Sequence, residues 1–555
     1  MKKLIKSYII AALCLPAFAS CSSDFLDTTP TQSVSTATAL STTSNGYKVL
    51  NGIAKSMSTQ QYAWSQGCAG ENRIIAIYEN YMDNDFAYTR YEPGWATLMN
   101  GTFFENYTTS YATYPWFYYY NIIGQANTVI AHIDAAEGSQ ADIQFIKASA
   151  LTFRAYAYEK LLHYYSVRWQ DSDNGTKPGV VLRLDESVGE MPRSTMAECY
   201  AQIYSDLDDA ISLFGASGLD REKGKIWLPN LNVAHAVYAR AALTRQDYSK
   251  ALSEAKLARQ GYALMDNKSY ASGFCKPTSE WIMGSYGDAS ENNWYWSFGT
   301  QFACNGYSAS NDYSGAGAIS KDLTDQIPDN DARKQLFLTV DKLPSFKADS
   351  QDGYYMTYGI LGLSSDEVYH ECDSVVNAND SIAKANSGIN FAPAYQGLID
   401  EETSTRAFFL GAQMKFRVFD TPGVSYIPFI RSSEMVLIEA EANYFLGNTA
   451  EAQANLVELN ASTGRDASYS CNKTGNDLFE EIVKYRGLEL WGEGFNWSDF
   501  KRWKRDIVRH DIGHGGNFNA SVAITVSAND DWTWSIPEDE ITYNKAANSA
   551  SKQAE

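Results

Sequence analysis

The sequence predicts a mainly α-helical protein, with tetratricopeptide-like helical pairs as a scaffold and an irregular, loop-rich region with a few short strands set into it. Three observations carry this. Apolar residues recur at three- and four-residue steps over long segments of the first half and again after residue 430. In "NLNVAHAVYARAALTRQDYSKALSEAKLARQGY" two such segments are broken only at Gln246 and Asp247, and small residues at the contact positions let the two helices fold back on one another closely. From about Gly261 to Ser425 the pattern changes to Gly, Asn, Ser and aromatics with short apolar runs, a stretch too long to be an ordinary connection in a compact domain.

The elements follow in order. Lys2, Lys3 and Lys6 precede an apolar run from Tyr8 to Phe18 and the small residues Ala19 and Ser20, the pattern of a secretory signal. The run is shorter than the ~20 residues that span a bilayer. Cys21, directly after Phe-Ala-Ser, resembles a bacterial lipoprotein cleavage site, at which the new N-terminal cysteine is acylated; Phe18 stands where Leu is usual. Residues 1–20 are therefore expected to be a lipoprotein signal peptide, with an ordinary secretory signal as the alternative. Residues 21–45, dominated by Ser, Thr and Ala, read as a lipidated N-terminus and flexible tether. Each buried CH₂ of an acyl chain stabilises membrane attachment by about 0.8 kcal/mol, so two or three chains hold durably. Removing residues 1–20, which hold three lysines and no acid, takes the formal net charge from −21 to −24, which argues against nucleic acid or an anionic membrane face as partner.

Residues 46–555 are expected to form one body, with helical scaffold at 46–260 and 426–510 and the loop-rich ligand region at 261–425. Helical patterning begins near Gly46 and is strong from Trp116 to Ala135, where "TYPWFYYYNIIG" has no polar interleaving and reads as buried packing. From Asp142 to Val167, Ile143, Ile146, Ala150, Phe153, Ala157 and Leu161 line one helix face. Ser194 is the expected N-cap of the next helix, which carries Met196, Tyr200, Ile203, Leu207, Ile211 and Phe214 on one face. Helical order returns at "RSSEMVLIEAEANYFLGNTAEAQANLVELNAS" and "NDLFEEIVKYRGLELWGEGFNWSDFKRWKR". Cys68, Cys199, Cys275, Cys304, Cys372 and Cys471 are scattered without a C-x-x-C, so free thiols are expected, with a disulfide left open.

These segments, in this order, resemble the SusD/RagB family of surface glycan-binding lipoproteins of the Bacteroidetes. "CSSDFLD" is similar to the family's start, Ala150-Leu151-Thr152-Phe153-Arg154-Ala155 to its first helical motif and Arg193 to Ala210 to the next. "TDQIPDNDARK" resembles its Asp-Pro-Arg segment, with Ala332 where proline is usual. Arg431, Glu434, Leu437 and Ala440-Glu441-Ala442 fit its R-x-x-E-x-x-L-x-x-A-E-A helix. Arg486, Leu488-Glu489-Leu490, Glu493-Gly494, Trp497, Asp499 and Lys501-Arg502-Trp503 fit the motif that follows, with Gly487 and Asn496 replacing usual arginines, and Ile536 to Ile541 resembles the closing motif. On the sequence alone, Arg431 with Glu434, and Arg486 with Glu489, are spaced to pair on helix surfaces for only ~0.2–0.5 kcal/mol each, which makes them scaffold residues.

The chemistry points to binding and not to catalysis. Glu489 and Glu493 share a helix, but a glycosidase pair is set by separation in space, and 66 acids produce such spacings by chance. His510 and His514 lie four apart, yet Gly513, Gly515 and Gly516 disfavour a helix and no third ligand is suggested, so no metal is expected. There is no H-E-x-x-H, phosphate loop, dinucleotide motif or G-x-S-x-G. Sugar recognition needs flat aromatic faces with amides and carboxylates to orient hydroxyls. "YMDNDFAYTRYEPGW" supplies Asp83, Asn84, Asp85 and Trp95, and "ENNWYWSFGTQFACNGYSASNDY" supplies Asn292, Trp294, Trp296 and Tyr307; these are the candidate ligand-binding residues, with core packing as the alternative for the tryptophans. Asp83 and Asp85 are also candidates for Ca²⁺, but the twelve-residue loop pattern is absent, so no cofactor is expected. The resemblance implies an outer-membrane, lipid-anchored surface protein that captures oligo- or polysaccharide and delivers it to a TonB-dependent transporter as its lid. A surface-anchored glycoside hydrolase and a peptide-binding or structural lipoprotein are the alternatives.

Overall fold

The computed structural model describes residues 39–61, 68–88, 96–99, 106–286, 297–303, 317–337, 357–359, 407–409, 411, 413–419, 423–511, 516–517 and 520–550. Cys21 and residues 1–20, expected to be a signal peptide, lie outside them. Among the described residues ten helices have eight residues or more: α1 Thr43–Ser56, α2 Ser110–His132, α3 Gln140–Tyr165, α4 Met196–Ser217, α5 Leu231–Thr244, α6 Tyr248–Ala258, α7 Ser432–Phe445, α8 Thr449–Val457, α9 Gly475–Glu489 and α10 Asn496–Trp503. None of the described helices is long and apolar enough to cross a membrane.

Helices α2 to α6 each pack on the next in chain order, and α6 then packs on α7, α7 on α8 and α9. The scaffold is thus continuous from α6 to α7 although some 170 residues intervene. Four two-stranded antiparallel pieces lie outside the helices: β1 (Phe86–Ala87) with β3 (Ala318–Ile319), β2 (Trp281–Gly284) with β6 (Pro428–Arg431), β4 (Thr357–Gly359) with β5 (Ala407–Phe409), and β7 (Ile507–Val508) with β8 (Thr525–Val526).

The local sequence explains the element boundaries. Thr42 caps α1, its hydroxyl accepting from the Asn45 amide at 3.2 Å, so the first helix starts inside the segment read as tether. Reciprocal backbone bonds of 2.9 Å, Thr43 to Glu137 and Glu137 to Ser41, fasten it to the body. The cap of α4 is Thr195 and not Ser194. Thr195 and Glu198 form a complete capping box, which Ser194, one residue earlier, is out of register to make. Between α5 and α6 the chain turns where expected, with Gln246 at φ +63° and the Asp247 carboxylate accepting from the Lys250 amide at 3.3 Å.

Helix α3 departs from the one-faced expectation. It is buried on nearly every side, between α2 and α4 with α1 and α5 also against it, so Tyr156, Glu159 and Lys160 are as enclosed as Ile146 and Phe153. The "TYPWFYYYNIIG" cluster is core, as its composition predicts: Trp116, Tyr118, Tyr119 and Ile122 are fully buried. Pro115 sits within α2, and the Tyr165 hydroxyl inserts into the ladder beside it, donating to the Ala112 carbonyl at 2.7 Å and accepting from the Trp116 amide at 3.0 Å. The described cysteines 68, 199, 275 and 471 are free thiols.

Candidate functional site

Two of the candidate ligand residues, Asp83 and Asp85, are placed in the interior. Asp83 is 2 % exposed and its carboxylate accepts from the Asp85 amide. Asp85 accepts from Asn84 at 2.9 Å and Asn496 at 2.7 Å, while its backbone carbonyl accepts from the Trp491 indole at 3.0 Å and the Ser320 amide at 2.8 Å. Burial raises both carboxyls above their ordinary range, and for Asp83 the neighbouring Asp85 adds to the rise. The D-N-D sequence therefore brackets the start of its loop to α10 instead of presenting acids at a surface. The two departures from the family motif meet here. Asn496 bonds Asp85, and a Cβ on Gly487 would stand 3.0 Å from the Asp85 Oδ2 atom. Among the described residues no three His, Cys, Asp or Glu side chains converge as a metal site, and the His510 ring lies 3.1 Å from Asp322.

Beyond Asp85 the chain enters β1, and Phe86 stacks on Trp491 (ring centroids 5.7 Å, 13° between planes) and on Phe302 (6.0 Å, 18°). Phe337 meets Trp491 edge-on at 5.2 Å, and Phe416 and Phe298 close the far side of Phe302. This aromatic floor is where the candidate loops are rooted. Trp95 lies outside the described residues, but Tyr88, seven positions before it, is fixed by its amide to the Asn517 side chain at 2.6 Å. Asn292, Trp294, Trp296 and Tyr307 also lie outside, but the segment Ser297–Phe302 between them is on the floor, with the Phe302 carbonyl accepting from Gln413 at 2.7 Å. The chain after Tyr307 returns at Gly317, at φ +77°, where a Cβ would come within 2.0 Å of the Phe86 ring, so only glycine lets this root lie flat on the floor. Pairing of β1 with β3 then joins the first loop to the second.

Under the floor lies a charge network that sequence spacing misassigns. Arg431 does not pair with Glu434, nor Arg486 with Glu489. Arg431 donates to Glu280 (2.6 Å), Glu489 (2.9 Å) and Glu493 (2.6 Å); Glu434 accepts from Arg240 at 2.6 Å, and Arg486 donates to Asp499 at 2.5 Å. Glu489 also accepts from Arg333 at 2.9 Å and Arg465 at 3.0 Å, Arg333 donates to Asp331 at 2.7 Å, and Lys415 donates to Glu493 at 2.6 Å and to the Trp491 carbonyl at 2.9 Å. Four cations face four carboxylates, and every one of these side chains is at most 2 % exposed. Burial alone would push the Glu489 carboxyl up, but Arg465, Arg431, Arg333 and Lys415 hold it far below the ordinary range. Burial draws the Lys415 ammonium down to about 8 against the pull of Glu493. A carboxylate held by three guanidiniums is neither a proton donor nor open to a sugar, so Glu489 with Glu493 is not a glycosidase pair. The network joins Glu280, Asp331, Arg333 and Lys415 to Glu489 at the end of α9 and to Arg431, the residue that leads into α7, and so seats the floor on the scaffold.

A second buried carboxyl lies just before the first loop, in the π-helical turn Ile74–Glu79. Burial pushes Glu79 up to about 7, against the pull of Lys160 and the hydrogen bond from Tyr164, with Asp499 and Glu71 adding to the rise. Its second oxygen has no partner. The folded chain thus holds this proton more tightly than the unfolded chain, whose carboxyl titrates near 4.5. The stability it contributes is complete below pH 4.5 and is lost as pH rises through 7. For a fully enclosed group this amounts to about 3 kcal/mol. Urea melts of Glu79→Gln are expected to show a pH dependence between 4.5 and about 8 that is weaker than wild type by roughly that amount; parallel profiles would contradict it.

The comparisons with known proteins agree with this architecture. One family profile, described as "Starch-binding associating with outer membrane", matches residues 24–243, and a second, described as "SusD family", matches residues 243–553. Nothing among curated proteins matches. A solved structure titled as a SusD-like carbohydrate binding protein from Bacteroides vulgatus superposes with a TM-score of 0.70 at 21% identity, covering 92% of this chain and 98% of its own. A SusD superfamily protein from Bacteroides thetaiotaomicron gives 0.66 at 21% identity (91% and 99%), and one from Bacteroides fragilis 0.63 at 19% (91% and 99%). At these identities the likeness establishes the shared fold. The second profile alone covers more than half of the sequence, and the chain belongs to the SusD family.

Proposed function

We propose that this protein binds oligo- or polysaccharide at the cell surface, through the aromatic and amide residues of its loops, and delivers it to a TonB-dependent outer-membrane transporter as its lid. Trp95, Asn292, Trp294, Trp296 and Tyr307 are assigned the ligand contacts, and Cys21 the lipid attachment. The observation that carries the reading is the common root of the loops: Phe86, Phe302 and Gly317, which flank the segments bearing these residues, meet on one floor against Trp491. Loops rooted together can present their tips to one ligand. The outer-membrane description of the N-terminal profile supports the location.

Affinity electrophoresis against plant, fungal, bacterial and host polysaccharides, with reducing-end release assayed in parallel, tests the function. Retardation without release is the expected result, and it weakens in Trp95→Ala and Trp294→Ala. Release of reducing ends would establish a hydrolase instead, and silence across the panel would favour a peptide ligand.

A further inference from the structure

A cavity of about 420 Å³ shares no residue with the aromatic floor. It lies between the segment leaving α3 (Val167, Arg168, Asp171, Lys177, Pro178) with Arg193, and the C-terminal segment 529–536, with Lys501 of α10 also on its wall. Its volume is in the roughly 300–1,000 Å³ range of small-molecule sites.

Its charges are not balanced inside the protein. Arg193 donates Nε to the Gly179 carbonyl at 2.7 Å and Nη2 to the carbonyls of Tyr165 at 3.0 Å and Pro178 at 3.4 Å; its Nη1 makes no hydrogen bond and no carboxylate pairs with it. The ammonium of Lys177 has no hydrogen bond or ion pair at all. Of the acids on the wall, Asp171 is in ion pairs with Arg168 and Lys504, each at 3.1 Å, and Asp530 and Asp531 accept turn amides of their own segment, from Ser527 at 3.2 Å and Thr533 at 2.9 Å. The hydroxyls of Thr533 and Ser535 are unengaged. A guanidinium corner and an ammonium opening on one concave space, in a chain of net charge −21, form a site for a compact oxyanion.

We propose that this cavity is a second binding site, taking a sugar acid: Arg193 and Lys177 meet its carboxylate, and the Thr533 and Ser535 hydroxyls meet ring hydroxyls. The choice of a sugar as the body of the ligand rests on the glycan reading above; the anion site itself does not. Holding the 165–179 segment explains the Nε and Nη2 bonds of Arg193 but leaves Nη1 and Lys177 without a role.

Calorimetry of the full chain at low salt tests it, with galacturonate, glucose and inorganic sulfate as separate probes. Saturable binding of galacturonate and none of glucose is expected, and Lys177→Gln, which breaks no hydrogen bond or ion pair of the fold, is expected to weaken galacturonate by about tenfold. Trp294→Ala is expected to bind galacturonate as wild type does, so a failure of the loop-based glycan reading would leave this result standing. Absence of saturable galacturonate binding, or equal affinity in Lys177→Gln, would overturn the site. Sulfate binding as tight as galacturonate would overturn the assignment of a sugar.

Discussion

Glu489→Ala is expected to lower the stability of the protein by about 3–5 kcal/mol, the cost of breaking a buried ion pair and leaving its partners uncompensated. Arg333, Arg431 and Arg465 all point at this one carboxylate, and none of the three reaches solvent. Removing it leaves a charge excess in a region with no water to answer it, against a total stability of order 5–15 kcal/mol. The same alanine substitution at Glu186, whose pair with His132 is about 40% exposed on both sides, is expected to cost under about 1 kcal/mol. Denaturant melts of the two variants check the contrast; equal, small losses would show that the network does not seat the fold.

Trp491→Ala is expected to cost about 3–5 kcal/mol, the range for truncating a buried aromatic side chain. It is also expected to abolish glycan binding under conditions where the variant is still folded. Trp491 is the ring on which Phe86, Phe302 and Phe337 converge, and its indole N–H holds the Asp85 carbonyl at the entry to the first loop. Its removal frees the roots of both loops at once. Trp116→Ala supplies the control. That ring is equally buried, but against Tyr120 and Tyr165 of the helical core, so a similar loss of stability should leave binding intact. Loss of binding in both variants, or in neither, would remove the floor from the argument.

The helical scaffold was legible because period and breaks are local properties. The α5–α6 turn and the buried "TYPWFYYYNIIG" run both follow from neighbouring residues. The full enclosure of α3 was not legible, because a helix sandwiched between others carries Glu159 and Lys160 inward, where Glu159 meets His163 one turn on and Arg240 of α5, and Lys160 faces Glu71 and Glu79 of a distant segment. The same limit applies to the charge network. Arg431 with Glu434 has helix-surface spacing, yet the partners in space, Glu280 and Arg240, come from 151 and 194 residues away. A sequence signal for it did exist: "SSEMVLIEAEANYF" has Glu434 and Glu441 on one face and Glu439 nearly opposite, in a helix whose other residues are mostly apolar, which a one-sided surface helix would not have. Likewise Asp83 and Asp85 have the composition of a sugar site, but Gly487 and Asn496 stand where arginines are usual, and both face Asp85. Those paired departures marked an internal contact.

Hydrogen exchange of the full chain, with and without a polysaccharide that retards it in electrophoresis, tests most directly whether the loops rooted on the floor act as one ligand surface. Protection is predicted in peptides from 89–95 and 287–316 together, with the scaffold helices unchanged. Protection confined to one of the two segments, or to regions away from both, would contradict a shared surface.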